Sequence, residues 1–145
     1  MKEIKRVVIP IYRSEASAMA VEQGSHIAKL LSLDVSLISV DDSRKFITSV
    51  ALENKLRKEH ETILDRYKKV LEMKNLNVQS EIIVGDTAAD EIISYVNDDD
   101  LIVMASHSKK GKDGFMFGSV SEKVLRKANC HTMVVKPKIP RERKI

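Results

Sequence analysis

The sequence predicts a single-domain α/β protein with a doubly wound, Rossmann-like, five-stranded parallel sheet and helices on both faces. Apolar runs typical of strands alternate along the 145 residues with segments of helical periodicity. These runs are almost entirely apolar, as is typical of parallel strands that are covered on both faces. Because right-handed crossovers join such strands, the alternation predicts a doubly wound sheet.

The first half of the chain predicts two strands, each followed by a helix. The strands are expected at residues 6–11 and 34–40, and residues 14–17 offer an N-cap for the first helix. The second helix is expected to run for about 25 residues and to pack through one apolar stripe. That stripe consists of Ile47, Val50, Leu56, Ile63, Tyr67, Val70 and Leu71.

The second half continues the alternation with three more strands and two more helices. A third strand at 77–84 is broken by Gly85, and Thr87 is the expected N-cap of a helix that contains Ala88, Ile92, Ile93 and Val96. A fourth strand at 101–104, a fourth helix at 120–128 and a fifth strand at 132–135 complete the sheet. Ligands of such sheets bind beyond the carboxyl ends of the strands, so the loops that follow them are the expected site.

The segment from Ala105 to Ser121 is the strongest candidate for chemistry. It follows a buried strand, and Gly118 and Ser119 open the next helix. The first backbone N–H groups of a helix lack intrahelical partners, and the helix dipole makes that end positive. The segment therefore predicts an anion site, to which Lys109 and Lys110 add charge.

Charge and composition argue against several other classes of protein. The net charge is +4, and residues 136–145 hold five Lys or Arg and one Glu, so the basic surplus lies in a C-terminal tail. A tail of this kind argues against nucleic-acid binding, which uses a basic face. No apolar run is long enough for a membrane helix, which excludes a membrane partner, and the single Cys130 favours a cytoplasmic location.

The other polar clusters are interpreted as structural rather than as catalytic or metal-binding sites. Ser106, His107 and Ser108 are adjacent on one turn, with no partner carboxylate evident, so no catalytic residue is predicted. Residues 98–100 are three aspartates before the fourth strand, and a solvated turn is expected rather than a metal site. The four histidines lack metal-ligand spacing, and Cys130 is expected to be half-buried.

The chain resembles the universal stress protein family over almost its whole length, and five of its segments carry this resemblance. They are Val-Ile-Pro-Ile at 8–11, Val-Gly-Asp at 84–86, Asp-Leu-Ile-Val-Met at 100–104, Gly-Ser-Val-Ser-Glu-Lys-Val-Leu-Arg at 118–126 and Thr-Met-Val-Val-Lys at 132–136. The resemblance implies a homodimer that pairs the last strand, from Thr132 to Lys136, across a twofold axis. It also implies ATP, with Mg²⁺, as the candidate ligand in some members and no nucleotide in others.

The nucleotide motif of the family is only partly retained. Its pattern is Gly, two residues, Gly, nine residues, Gly and then Ser or Thr, whereas this chain keeps the spacing with Ala105, Ser108, Gly118 and Ser119. Tyr12 stands where ATP-binding members have an Asp that meets the adenine, and it could stack on the base instead. The resemblance implies a nucleotide site composed of Pro10, Ile11, Tyr12, Val40, Met104, Ala105, Ser108, Gly118, Ser119, Val120 and Ser121.

Two functional hypotheses follow from this resemblance. The first is a non-catalytic, cytoplasmic stress-response regulator, a homodimer with a degenerate phosphate loop and an unidentified protein partner. The second is an ATP-binding switch with at most slow ATPase activity.

Overall fold

The computed structural model describes residues 3–12, 16–106 and 118–136. It contains five parallel strands: β1 (Arg6–Pro10), β2 (Asp34–Asp41), β3 (Val78–Val84), β4 (Asp100–Ala105) and β5 (His131–Val135). Its helices are α1 (Ala16–Leu31), α2 (Val50–Glu72), α3 (Ala88–Tyr95) and α4 (Ser119–Lys127), and a short 3₁₀ turn at Arg44–Phe46 precedes α2. The predicted fold class is confirmed.

The strands lie in the order β3-β2-β1-β4-β5, so β1 is central and β3 and β5 form the two edges. All neighbouring strands pair in parallel, and Arg6 of β1 lies opposite both Asp34 of β2 and Asp100 of β4. Parallel strands need crossover connections, which the four helices supply.

Two apolar cores lie on opposite faces of the sheet because successive strand residues alternate in direction. One core, under α1 and α2, contains Val7 and Ile9 of β1, and Leu71 of α2. The other core, under α3 and α4, contains Val8 of β1 and Val124 of α4. Because its side chains alternate in direction, the central strand β1 contributes residues to both cores.

Side-chain caps begin two of the helices. The Ser49 hydroxyl accepts from the Leu52 N–H at 3.4 Å, and the Thr87 hydroxyl accepts from the Asp90 N–H at 3.3 Å. The prediction of Thr87 as an N-cap is confirmed. The proposed cap of the first helix includes Ser14, which lies outside the described residues.

The packed stripe of α2 differs from the predicted one. Ile47 precedes the helix in extended conformation, whereas Val50 and Val70 are 71% and 41% exposed. A 23-residue helix is about 34 Å long, more than the roughly 26 Å of an eight-residue strand, so α2 extends beyond the sheet it covers. Leu64 is the buried residue that the predicted stripe lacked.

Asp100 is not part of a solvated turn, and that prediction is wrong for this residue. Its carboxylate is buried and accepts hydrogen bonds from Arg6 Nε at 2.9 Å and Arg6 Nη2 at 2.7 Å. The Asn97 N–H also donates to it at 2.8 Å. The pairing of β1 with β4 brings the two charges together, which no local pattern shows.

Two further observations concern the described parts of the chain. No helix there is long and apolar enough to cross a membrane. Cys130 is partly buried, as expected, and burial together with the charge of Asp100 raises the pKa of its thiol. A raised pKa keeps the thiol protonated at neutral pH, which disfavours a nucleophilic role.

Candidate functional site

The candidate site lies where the chain leaves β1 and β4 toward opposite faces of the sheet. The chain passes from β1 into α1 on one face and from β4 toward α4 on the other, and the two strands are neighbours. This is the switch point of a doubly wound sheet, where the carboxyl ends of adjacent strands leave a crevice.

A cavity of about 80 Å³ occupies this crevice. The described residues that line it are Tyr12, Met104, Ala105, Gly118, Ser119, Val120 and Ser121. The structure thus brings together seven of the eleven residues in the predicted site. Residues from the end of β1, the end of β4 and the start of α4 meet there although they are far apart in sequence.

The other four predicted residues lie elsewhere. Ser108 is outside the described residues. Val40 packs against the same core as Tyr12 and Val120 but is not among the described residues that line the cavity. Pro10 is buried, and the Ile11 side chain belongs to the core under α1 and α2 because it follows the alternation of β1 to the opposite face.

Tyr12 is held at the end of β1 by the first turn of α1. The buried hydroxyl of Ser17 accepts from the Tyr12 N–H at 2.7 Å and donates to the Tyr12 carbonyl at 2.9 Å. Burial and, second, the charge of Asp42 raise the pKa of Tyr12 well above its usual range, so its phenol is neutral at physiological pH. Sequence patterns did not identify Ser17 as the residue that orients Tyr12.

The start of α4 is anchored to β4 through Ser106. The Gly118 N–H donates to the Ser106 hydroxyl at 3.0 Å, and Ser106 N–H donates to the Val135 carbonyl at 3.3 Å. The Ser121 hydroxyl lies 3.5 Å from that of Ser106. The buried Ser106 therefore joins β4, β5 and α4, a structural role that its place in the loop motif did not reveal.

Gly118 adopts an ordinary extended conformation as the N-cap of α4, with φ −68° and ψ 151°. Glycine is therefore not required there by the backbone dihedrals. Its value at this position lies in the absence of a side chain beside the cavity and beside the N–H groups of the first turn.

The position of α4 is also fixed by α3 and by the sheet. Val124 is fully buried, and Lys123 Nζ lies 2.8 Å from Asp90 Oδ1 of α3. That ion pair, through its hydrogen bond, lowers the pKa of Asp90. The N-terminus of α4 is thus held against the cavity from one side by core packing and from the other by Ser106.

The described residues that line the cavity are suited to binding rather than to proton transfer. Of the described lining residues, Tyr12 alone carries a titratable side chain, and its raised pKa disfavours the phenolate. Ser119 and Ser121 contribute hydroxyls, and α4 contributes backbone N–H groups. Neutral donors at a helix N-terminus suit an anion.

A second polar cluster lies near the end of β2. The buried Asp41 accepts from the Ser43 N–H at 3.1 Å and from the Ser43 hydroxyl. Burial alone would raise the pKa of Asp41, but the hydrogen bonds of Ser43 and the charges of His60 and Arg44 outweigh it and lower the pKa. His60 in turn contacts the Ser39 hydroxyl through Nδ1.

Comparison with known proteins identifies the class to which this fold and crevice belong. The sequence model of the universal stress protein family matches residues 3–136. Universal stress protein MJ0531 of Methanocaldococcus jannaschii is 31% identical over 140 residues, covering 91% of this chain and 82% of that protein. The solved structure of MJ0577 has a TM-score of 0.80 at 33% identity, covering 96% of this chain and all of that one.

The chain therefore belongs to the universal stress protein family. Two further structures of the family share the fold at lower identity. One, from Archaeoglobus fulgidus, is a complex with dAMP (TM-score 0.66, 18% identity, covering 92% of this chain and 98% of that one). The other is a complex with cAMP (TM-score 0.71, 16% identity, covering 93% and 98%). Some members of the family thus bind nucleotides.

Proposed function

We propose that the protein is a non-catalytic, cytoplasmic regulator of the stress response that acts as a homodimer and carries a degenerate phosphate-binding cleft. The observation that carries the proposal is the crevice between β1 and β4, which keeps an anion-binding helix start but lacks a general base among its described residues. Binding without turnover is the function that such donors support.

Two family members form complexes with the phosphate-bearing ligands cAMP and dAMP, which supports a phosphate group as the feature that the cleft binds. A nucleotide phosphate group carries negative charge, which the N-terminus of α4 favours. Ser119 and Ser121 stand beside those N–H groups and can donate further hydrogen bonds. We therefore place the phosphate end of any ligand at Gly118, Ser119 and Ser121.

The alternative function is an ATP-binding switch with at most slow ATPase activity. It is favoured by the retained spacing of Ala105, Gly118 and Ser119, which the structure places on one cavity. No carboxylate lines the described part of that cavity, so the phosphates rather than the protein would hold the Mg²⁺.

The proposed homodimer pairs the β5 edges of two chains, from Thr132 to Lys136. An edge strand presents unpaired backbone groups to solvent, and pairing with a second copy satisfies them. In the described part of the chain, β5 pairs with a neighbouring strand on one side only, where it meets β4. The dimer is proposed to act through a protein partner.

Calorimetric titration of the nucleotide-stripped protein with ATP and AMP, in the presence of Mg²⁺, tests the proposal. A degenerate cleft should bind both weakly, with dissociation constants near or above about 1 mM. Micromolar binding of ATP would favour the switch function instead. Phosphate release that stays at the background rate over hours would support a non-catalytic role, whereas steady turnover would contradict it.

The variant Gly118→Val tests whether the ligand binds at the start of α4. Valine accepts the extended dihedrals of residue 118, so the variant should fold. Its branched side chain would project beside the N–H groups that contact the ligand, so any measured affinity should be lost. Unchanged affinity in a folded Gly118→Val protein would place the ligand elsewhere.

A further inference from the structure

The crevice has two chemically different halves. The half at the start of α4 carries backbone N–H groups and the hydroxyls of Ser119 and Ser121. The other half is apolar: Met104 and Val120 line it, and Met104 belongs to a core cluster that also contains Ile38 and has Val40 packed against it. A nucleotide has a matching division, because its phosphate is anionic and its flat base is largely apolar.

Tyr12 stands in the apolar half. Its side chain packs, together with Val40 and Val120, against the core cluster that includes Ile38 and Met104. It also lines the cavity and lies close enough to Asp42, just beyond β2, for the charge of that carboxylate to raise the pKa of the phenol. The ring therefore lies on the apolar side of the cavity, between the end of β1 and the residue that follows β2.

The space that remains is too small for a nucleoside. The cavity measures about 80 Å³, whereas a water molecule takes about 30 Å³ in the liquid and pockets for organic ligands measure about 300–1,000 Å³. A small anion with a few waters fits such a volume. A purine with its ribose does not.

The backbone of Tyr12 resists displacement. Ser17 bonds both its N–H and its carbonyl, and the adjacent Ile11 N–H donates to the Ile38 carbonyl at 2.7 Å. To open the apolar half, the ring would have to rotate about its own side-chain bonds and leave its packing against the core cluster that includes Ile38 and Met104.

We infer that Tyr12 is the specificity-determining residue of the crevice: its ring occupies the base half, so the site selects small phosphate anions and rejects purine nucleotides. This inference rests on the proposed binding function and assigns it a ligand class. It departs from the expectation that Tyr12 stacks on a bound base, because the ring fills the space that the base would need.

The test compares three ligands, ATP, adenosine and inorganic tripolyphosphate, by calorimetry on the full chain. The variant Tyr12→Ala removes the ring, and Tyr12→Phe retains it without the hydroxyl. Tyr67→Ala is the matched control, because Tyr67 is a partly buried tyrosine of α2 on the opposite face of the sheet. Thermal unfolding of each variant establishes that it folds, and Tyr12→Val replaces Tyr12→Ala if the latter does not.

The wild type and Tyr12→Phe are expected to bind tripolyphosphate at least as tightly as ATP and to show no adenosine binding. Tyr12→Ala should gain about tenfold or more in ATP affinity while its tripolyphosphate affinity stays within about threefold. Tyr67→Ala should behave as the wild type does. A folded Tyr12→Ala protein with unchanged or weaker ATP binding would overturn the inference, as would a wild type that binds ATP far more tightly than tripolyphosphate.

The same data separate this inference from the proposed function. A wild type that binds none of the ligands, with ATP binding gained in Tyr12→Ala, would refute the binding function and support the role of Tyr12. Ligand binding by the wild type without a gain in Tyr12→Ala would do the reverse. The absence of binding in every variant would refute both.

Discussion

Gly24 of α1 lies directly against Ile9 of β1. A Cβ atom at this position would stand 2.6 Å from Ile9 Cδ1 and 3.2 Å from Ile9 Cγ1. Ile9 is fully buried, so its side chain has little room to move aside. The glycine therefore sets the distance between α1 and the sheet, and hence the position of the Ser17 hydroxyl that holds Tyr12.

We expect Gly24→Ala to lower the melting temperature by about 4 °C, or about 1 kcal/mol of unfolding free energy. Alanine gains about 1 kcal/mol of helix propensity, but overpacking a buried core costs about 1–3 kcal/mol. In an Ile9→Val background, which lacks Cδ1, the same substitution should become neutral or stabilising. If Gly24→Ala alone proved more stable than the wild type in thermal unfolding, the expected clash with Ile9 would be refuted.

The ion pair of Asp100 with Arg6 is a second contact between two residues that we expect to contribute strongly to stability. Asp100→Ala would leave the Arg6 side chain, which is only 27% exposed, without its two hydrogen bonds to the carboxylate. Loss of one member of a buried pair costs about 3 kcal/mol. Urea unfolding should show this loss, whereas Asp34→Ala, at an exposed position beside Arg6 in the sheet, should change stability by less than about 0.5 kcal/mol.

At the scale of elements, the helix caps should differ in strength. The Thr87 hydroxyl both accepts from the Asp90 N–H and donates to Asp90 Oδ2 at 2.8 Å, whereas the Ser49 hydroxyl accepts one bond at 3.4 Å. Thr87→Ala is expected to cost about 1 kcal/mol, and Ser49→Ala clearly less. Unfolding free energies of the two variants, measured side by side, would refute this if their order were reversed.

The turn after β2 makes the stability of the fold depend on pH. The pKa of Asp41 is lower in the folded protein than its ordinary value of about 3.9, so the ionised carboxylate is the form that folding favours. Its stabilisation is complete above that ordinary value and is lost as the pH falls through the folded pKa. Acid conditions should therefore weaken this turn first.

Asp41→Asn is expected to lower stability at pH 7 and to flatten its decline below about pH 4. Ser43→Ala removes the hydroxyl bond but keeps the N–H bond, so its effect should be intermediate. Melting temperatures between pH 7 and pH 2.5 measure both effects. A decline in Asp41→Asn as steep as in the wild type would show that other groups control acid unfolding.

At the scale of the whole molecule, the two edges of the sheet can be compared directly. Met133 on β5 and Val84 on β3 are each 39% exposed and lie on opposite edges. A lysine on an edge strand opposes pairing with a second sheet. If the proposed dimer pairs β5, Met133→Lys should sediment as a monomer, whereas Val84→Lys should remain a dimer like the wild type.

Analytical ultracentrifugation over a range of concentrations distinguishes the outcomes. Dissociation in Val84→Lys but not in Met133→Lys would move the interface to β3. A monomeric wild type would remove the dimer from the proposed function while leaving the crevice unaffected, because its described lining comes from a single chain.

The fold class followed from the sequence because the signals behind it are local. The apolar runs of β1 and β4 and the cap at Thr87 each depend on a few neighbouring residues, so the element order could be predicted. The same holds for the start of α4, where the position of Gly118 and Ser119 after a strand predicts an anion site. Parallel strands then force the loops after β1 and β4 to meet at one edge.

Only the tertiary structure decided what happens across the sheet. Arg6 and Asp100 are 94 residues apart, and their contact depends on the pairing of β1 with β4. Ile11 and Tyr12 are adjacent, yet one enters the core under α1 while the other turns into the crevice, because the central strand serves two layers. Sequence by itself therefore determined the fold and which loops meet at the crevice, whereas packing determined how much of that crevice remains open.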